Sequence, residues 1–82
     1  NTTEMAMEFI GFLEKSYSGV LVERYSVDES KENLEILEEI ARIRGCLMKG
    51  NQTDIDKAGR LLLEDFRSLR LGKLSLEVPD AQ

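Results

Sequence analysis

Apolar side chains recur every three or four residues along most of the chain, with polar and charged residues between them. This spacing places apolar residues on one face of an α-helix, so the pattern predicts about four helices. The apolar positions of the four series are Met5, Phe9, Phe12 and Leu13, widened by Ala6 and Ile10; then Val20, Leu21 and Tyr25; then Leu34, Leu37, Ile40 and Ala41; and last Ile55, Ala58, Leu62, Phe66 and Leu69.

Near the C-terminus the period of the pattern changes. Leu74, Leu76 and Val78 alternate with polar residues, and alternation is the period of an extended segment. Because only one such run is present, a strap across a helical bundle is favoured over a sheet. The predicted fold is therefore all-α, a small bundle of about four helices with a C-terminal extended segment. Residues 1–78 are expected to form a single helical domain, and residues 79–82 a loose tail.

Residues suited to helix ends stand where the apolar series begin and stop. Asn1 suits the start of the first helix, and Thr53 suits the start of the fourth. Either Ser30 or Asn33 can cap the third helix. Gly45 allows the left-handed turn that ends the third helix.

Charge divides this chain of 82 residues into unlike parts. Residues 1–41 contain 10 acidic and 3 basic side chains, whereas residues 42–73 contain 8 basic and 4 acidic ones, within a net charge of −5. Such asymmetry is typical of an acidic body with one side that faces a polyanion. Solvated helix faces of opposite sign explain it equally well, so both interpretations stay open at this point.

Several kinds of chemistry lack the residues that they need. The chain has no His, which excludes imidazole catalysis and histidine metal sites, and its only cysteine, Cys46, cannot build a zinc site. Gly45 and Gly50 have the spacing of a phosphate loop, but Asn51 and Gln52 stand where a Walker A loop requires Lys and Ser or Thr. No apolar run approaches the ~18 residues of a membrane span, and a single cysteine without a signal segment predicts a cytoplasmic protein. We therefore expect no catalysis, no metal and no cofactor in this fragment.

The remaining candidate site is a basic joint between the third and fourth predicted helices. Arg42 follows Glu38 by four residues, so an ion pair within the helix and a binding role are both open for it. Because no exposed aromatic residues are interleaved with the bases, phosphate contact is favoured over base stacking. The candidate ligands of a polyanion are Arg44, Lys49, Lys57, Arg60, Arg67, Arg70 and Lys73.

Four runs occur in an order and spacing that resemble a known family. They are residues 40–50 (IARIRGCLMKG), 54–58 (DIDKA), 61–67 (LLLEDFR) and 71–77 (LGKLSLE). The series resembles the C-terminal domain of the ribosome biogenesis GTPase A family of circularly permuted GTPases. The chain departs from the family pattern at Gly59, where Ala is usual, at Asn51, where a second glycine is common, and at Leu69 and Arg70, where Gly-Lys is common.

The resemblance implies a parent protein whose N-terminal GTPase domain binds GTP and Mg²⁺. Members of this family assist late assembly of the large ribosomal subunit and bind its RNA. Their C-terminal domain is a helical module similar to antiterminator-type RNA-binding domains. The implied partners are therefore large-subunit ribosomal RNA and the parent's own GTPase domain, with no role for a membrane or DNA, and the basic residues above become candidate RNA ligands.

A protein-interaction module is the alternative. In that case the acidic N-terminal half would dock on the GTPase domain or on a ribosomal protein, and RNA contact would be incidental. A single positive face on the folded domain favours RNA, whereas scattered basic residues favour protein docking.

Overall fold

A computed structural model describes residues 1–67, and these residues form four α-helices around one apolar core. The helices are α1 (Thr2–Ser16), α2 (Val20–Tyr25), α3 (Asn33–Ile43) and α4 (Ile55–Arg67), with one 3-10 turn at Lys49–Asn51. The all-α prediction is confirmed. The predicted strap at residues 74–78, the tail at 79–82 and the domain boundary lie outside the described residues. None of the helices within residues 1–67 is long and apolar enough to cross a membrane.

The core lies where α1 packs against both α3 and α4, while α2 packs on α1. The fully or nearly fully buried apolar residues are Ala6, Ile10, Leu13, Leu21, Tyr25, Val27, Ile36, Leu37, Ile40, Ala41, Cys46, Ala58, Leu62 and Phe66. All four helices contribute to this set. The chain therefore buries one shared core, as the periodicity predicts.

Gly59 lies where α4 crosses α1. A glycine inside a helix costs about 1 kcal/mol relative to Ala, so its presence predicts the close approach of another helix. A Cβ atom on Gly59 would lie 3.1 Å from the Cβ of Ala6 and 3.5 Å from the carbonyl oxygen of Thr2. The prediction of a close approach is confirmed.

This crossing determines which face of α1 is buried. The pattern predicts burial of Met5 and Phe12, but their side chains are 57% and 37% exposed. Ala6, Ile10 and Leu13 occupy the core instead. Because α4 approaches at Gly59, the facing position on α1 must be small, and this requirement centres the interface on Ala6 rather than on the larger residues.

The cap of α1 is the predicted residue, whereas the caps of α3 and α4 are not. Asn1 caps α1 as predicted, because its Oδ1 atom accepts a hydrogen bond from the Glu4 N–H at 2.8 Å. Neither Ser30 nor Asn33 caps α3. The cap residue is Glu32, whose N–H donates to the Glu35 carboxylate at 3.2 Å. The Asn33 side chain is used for a tertiary contact and donates to the carbonyl oxygen of Met7 at 3.1 Å.

The cap of α4 is one residue further along the chain than predicted. Asp54 Oδ1 accepts a hydrogen bond from the Lys57 N–H at 3.1 Å. Thr53 instead pairs with Leu47 in an isolated antiparallel bridge. The bridge takes Thr53 out of the helix, so the next polar residue provides the cap.

A cap for α2 comes from a distant part of the chain. The residue before α2 is Gly19, which has no side chain to offer. Glu29 fills this role, because its carboxylate accepts hydrogen bonds from the backbone N–H groups of Gly19, Leu21 and Val22 at 3.1–3.3 Å. A carboxylate at a helix N-terminus also interacts favourably with the helix dipole.

Candidate nucleic-acid interface

The joint between α3 and α4, residues 44–54, is held by backbone hydrogen bonds. Gly45 has φ +72° and ends α3 as predicted. The Cys46 N–H then donates to the Ala41 carbonyl at 2.7 Å, and the Asp54 N–H donates to the Cys46 carbonyl at 2.8 Å. These two bonds tie the end of α3 to the start of α4. Cys46 is 1% exposed, so its thiol is a core group.

Lys49 lies at the outer turn of the joint. The Met48 N–H donates to the Gln52 carbonyl at 2.7 Å and the Asn51 N–H donates to the Met48 carbonyl at 3.0 Å. These bonds close the turn, and the Lys49 side chain is exposed. Within residues 1–67 no carboxylate forms an ion pair with Lys49.

Three candidate residues share the solvent face of α4. Lys57, Arg60 and Arg67 are all exposed, whereas Ala58 and Leu62 are fully buried on the opposite side. With about 100° of rotation per residue, the three cations lie on one side of the helix and directly away from the core. The structure therefore brings these three candidates together.

Carboxylates on the same helix offset part of this charge. Arg60 pairs with Asp56 at 2.5 Å and Arg67 pairs with Glu64 at 2.9 Å. Both pairs are exposed, so they add little stability and can exchange for other partners. Lys57 forms no such pair within the described part of the chain. It is therefore the α4 cation with the least internal competition for an anion.

Arg44 lies in a different environment, against the ring of Tyr25. Its guanidinium carbon is 4.9 Å from the ring centroid, a cation–π distance. The Tyr25 hydroxyl donates to Asp65 Oδ2 at 2.5 Å, and Arg24 Nε lies 3.6 Å from the same oxygen. We call Arg24, Tyr25, Arg44 and Asp65 the tyrosine cluster.

The hydroxyl of Tyr25 is buried together with its partner. The Tyr25 side chain is 1% exposed, and Asp65, which accepts the hydroxyl hydrogen bond, is 3% exposed. Burial, and then the hydrogen bond to Asp65 and that residue's charge, raise the pKa of Tyr25 well above its ordinary value. The hydroxyl therefore stays protonated and remains a donor. Asp65 on the buried side of α4 was the available signal, since a buried acid requires a partner.

Of the remaining basic residues near the joint, the structure describes only Arg42. Arg70 and Lys73 lie outside the described residues. Arg42 is exposed, and the ion pair with Glu38 does not form. No group of three or more Cys, Asp or Glu residues able to hold a metal occurs within residues 1–67.

The fold defines a small all-α domain with exposed cations at one helix joint and along one helix. No family model matches the chain. Ribosome biogenesis GTPase A of Bacillus cereus is 38% identical over 81 residues, which are 98% of this chain and 27% of that protein. The same protein of Bacillus licheniformis is 36% identical, over 98% of this chain and 29% of its own length. That of Bacillus pumilus is 32% identical, over 99% of this chain and 29% of its own length.

Nearly the whole chain is therefore related to the C-terminal part of ribosome biogenesis GTPase A proteins. It spans less than a third of the length of these relatives. It is not their catalytic GTPase domain.

Proposed function

We propose that this domain helps a ribosome-assembly GTPase to bind the RNA of the large ribosomal subunit. The observation behind the proposal is the solvent face of α4, where Lys57, Arg60 and Arg67 are all exposed opposite the core. Lys49 lies in the joint that leads into this helix. In the proposal GTP and Mg²⁺ belong to the preceding domain, this domain holds no cofactor, and the protein works in the cytoplasm.

The chemistry of these side chains favours phosphate contacts. Lys and Arg bind backbone phosphates, and such contacts position a protein on a nucleic acid without reading its sequence. Residues 1–41, with 10 acidic and 3 basic side chains, would repel RNA. Binding by this domain is therefore one-sided and modest, and the GTPase domain strengthens it by adding contacts of its own. Arg70 and Lys73 belong to the proposed set on the basis of the sequence.

A second candidate function has one observation in its favour. The outer face of α1 exposes the apolar side chains of Met5 and Phe12, with Glu4 and Glu8 also exposed on that helix. Exposed apolar residues beside charged ones are typical of protein–protein contacts. This surface suits docking on the parent's GTPase domain or on a ribosomal protein, and it does not compete with the α4 face for RNA.

The decisive experiment is a salt titration of the parent GTPase on large-subunit particles. Replacing Lys57, Arg60 and Arg67 together by Ala is expected to weaken binding and to flatten the slope of log affinity against log salt, by somewhat under ~1 unit for each lost contact. Lys57→Ala is also tested alone, and Lys15→Ala is its matched control, because Lys15 is another exposed helical lysine without an ion pair within residues 1–67. Equal affinity and equal slope for the triple variant and wild type, with folding intact, would contradict RNA binding and favour docking through α1.

A further inference from the structure

Arg44 differs from the other candidate cations because a rigid aromatic ring supports it. Tyr25 is the last residue of α2 and is 1% exposed. Its ring is fixed at the far end by the hydroxyl bond to Asp65 at 2.5 Å, which joins residues 40 positions apart in the chain. Burial and the hydroxyl bond together hold the ring in its place in the core, and the guanidinium carbon of Arg44 lies 4.9 Å from its centroid.

The charges of the tyrosine cluster leave Arg44 available to an outside anion. Arg24 Nε lies 3.6 Å from Asp65 Oδ2, so the buried carboxylate already has a cation beside it. Arg44 forms no ion pair and no side-chain hydrogen bond within residues 1–67. Arg44 is exposed, and its guanidinium carbon lies over the Tyr25 ring, so the guanidinium is accessible to an anion from solvent.

Arg42 provides an internal comparison. It is the same residue type, is two positions earlier at the same helix end, and is also exposed without an ion pair in the described chain. Within residues 1–67 no aromatic ring lies beneath it. The two residues therefore contribute the same charge but differ in how firmly the guanidinium is held.

We propose that Tyr25 is a positioning residue that holds Arg44 ready for a two-pronged hydrogen bond to an RNA phosphate. This inference rests on the proposed RNA-binding function. The planar guanidinium matches the geometry of a phosphate, and its stacking on an aromatic face is a property that Lys does not share. A contact with the ring restricts the Arg44 side chain before binding, so in this proposal binding loses less side-chain entropy and Arg44 contributes more affinity than an unsupported arginine.

The test compares variants at Arg44 and Arg42 in the parent GTPase, with large-subunit particles as the probe. At low salt, Arg44→Ala is expected to weaken binding by about tenfold and Arg42→Ala by about threefold or less. Arg44→Lys keeps the charge but loses the planar guanidinium, so it should recover only part of the loss, whereas Arg42→Lys should match wild type. Equal losses for the two Ala variants, or full recovery by Arg44→Lys, would overturn the proposal.

Variants of Tyr25 separate positioning from general stability. Tyr25→Phe retains the ring, so in this background Arg44→Ala should still weaken binding by about tenfold. Tyr25→Leu removes the ring, so adding Arg44→Ala should cause little further loss. A full additional loss in the double variant would contradict positioning by the ring. If Tyr25→Leu does not fold, the Arg44 and Arg42 series decides the proposal alone.

Failure of this inference is distinguishable from failure of the proposed function. If Arg44 and Arg42 behave alike while replacement of the α4 cations still lowers the salt slope, the domain binds RNA without a positioned Arg44. If replacement of the α4 cations changes neither the affinity nor the salt slope, RNA binding itself is contradicted, and this inference is overturned with it.

Discussion

Gly59 of α4 lies so close to Ala6 of α1 that a Cβ atom at position 59 would come within 3.1 Å of the Ala6 Cβ. Both atoms would be attached directly to helix backbones, so neither can rotate away. The two helices have the most extensive contact in the described fold. This contact sets how closely α1 and α4 approach each other.

Replacing Gly59 by Leu is expected to lower the free energy of unfolding by about 1–3 kcal/mol, because the added carbons force α1 and α4 apart. Gly11→Ala is the matched control. Gly11 also lies inside a helix, but a Cβ there would meet only the Asn33 side chain at 3.4 Å, an ordinary contact. This control should be neutral or stabilising by up to about 1 kcal/mol. Chemical denaturation measures the free energy of unfolding of both variants. Similar changes in the two would contradict the close crossing.

Phe66 is expected to be central to stability. It is 3% exposed and meets the ring of Phe9 edge-on, with 4.4 Å between ring centroids. Phe66→Ala should cost about 3–5 kcal/mol, a large part of the stability of a small domain. Phe12→Ala removes the same side chain from a position that is 37% exposed and should cost much less. A thermal melt that ranks the two variants equally would show that the core is misassigned.

The hydroxyl of Tyr25 should stabilise the fold at neutral pH and lose this effect at alkaline pH. At pH 8, Tyr25→Phe leaves the buried Asp65 carboxylate without this donor and should cost about 1–3 kcal/mol. The folded protein holds the hydroxyl proton more tightly than the unfolded chain, because burial and Asp65 raise the pKa of Tyr25 above its ordinary value of 10.0. The contribution is therefore complete below pH 10.0 and declines as the pH rises above that value.

Denaturation at pH 8 and at pH 11 measures this effect as the difference between wild type and Tyr25→Phe. The other residues are the same in both proteins, so their contributions cancel in this difference. The difference should be smaller at pH 11 than at pH 8. A difference that does not change with pH would show that the raised pKa of Tyr25 makes no contribution to stability.

The domain by itself is expected to bind no GTP. The loop that begins at Gly45 has Asn51 and Gln52 where a Walker A loop needs Lys and a hydroxyl residue. Calorimetry of the isolated domain with GTP and Mg²⁺ should show no binding heat, provided that circular dichroism shows the domain to be helical. Micromolar binding would contradict the proposal that GTP and Mg²⁺ belong to another domain of the parent protein.

Local features of this fold are predictable because they depend on residues a few positions apart. The four apolar series predict the four helices, and all four are present. Asn1 caps α1 through a bond to a residue three positions away. Gly45 ends α3 with a positive φ, which needs only the absence of a side chain. The exposure of Lys57, Arg60 and Arg67 follows from their place opposite the apolar stripe of α4.

Several features that the pattern misplaces or misses depend on a partner beyond the four-residue reach of helical spacing. The apolar stripe of α1 is wide enough to bury either Met5 or Ala6, and the crossing at Gly59 selects Ala6. Glu29 caps α2 from seven to ten positions downstream, a distance at which spacing rules give no prediction. Thr53 does not cap α4 because a bridge to Leu47 holds it.

The same division applies to the candidate site. The sequence by itself determined which residues are cations and which side of α4 they occupy, because charge and helical period are properties of the chain. Only the tertiary structure decided that Arg44 rests on Tyr25, and that Asp65 fixes that ring from 40 residues away. The physical reason is that hydrophobic burial selects helix faces without specifying partners, whereas a hydrogen bond or a stacked ring requires two particular groups to meet.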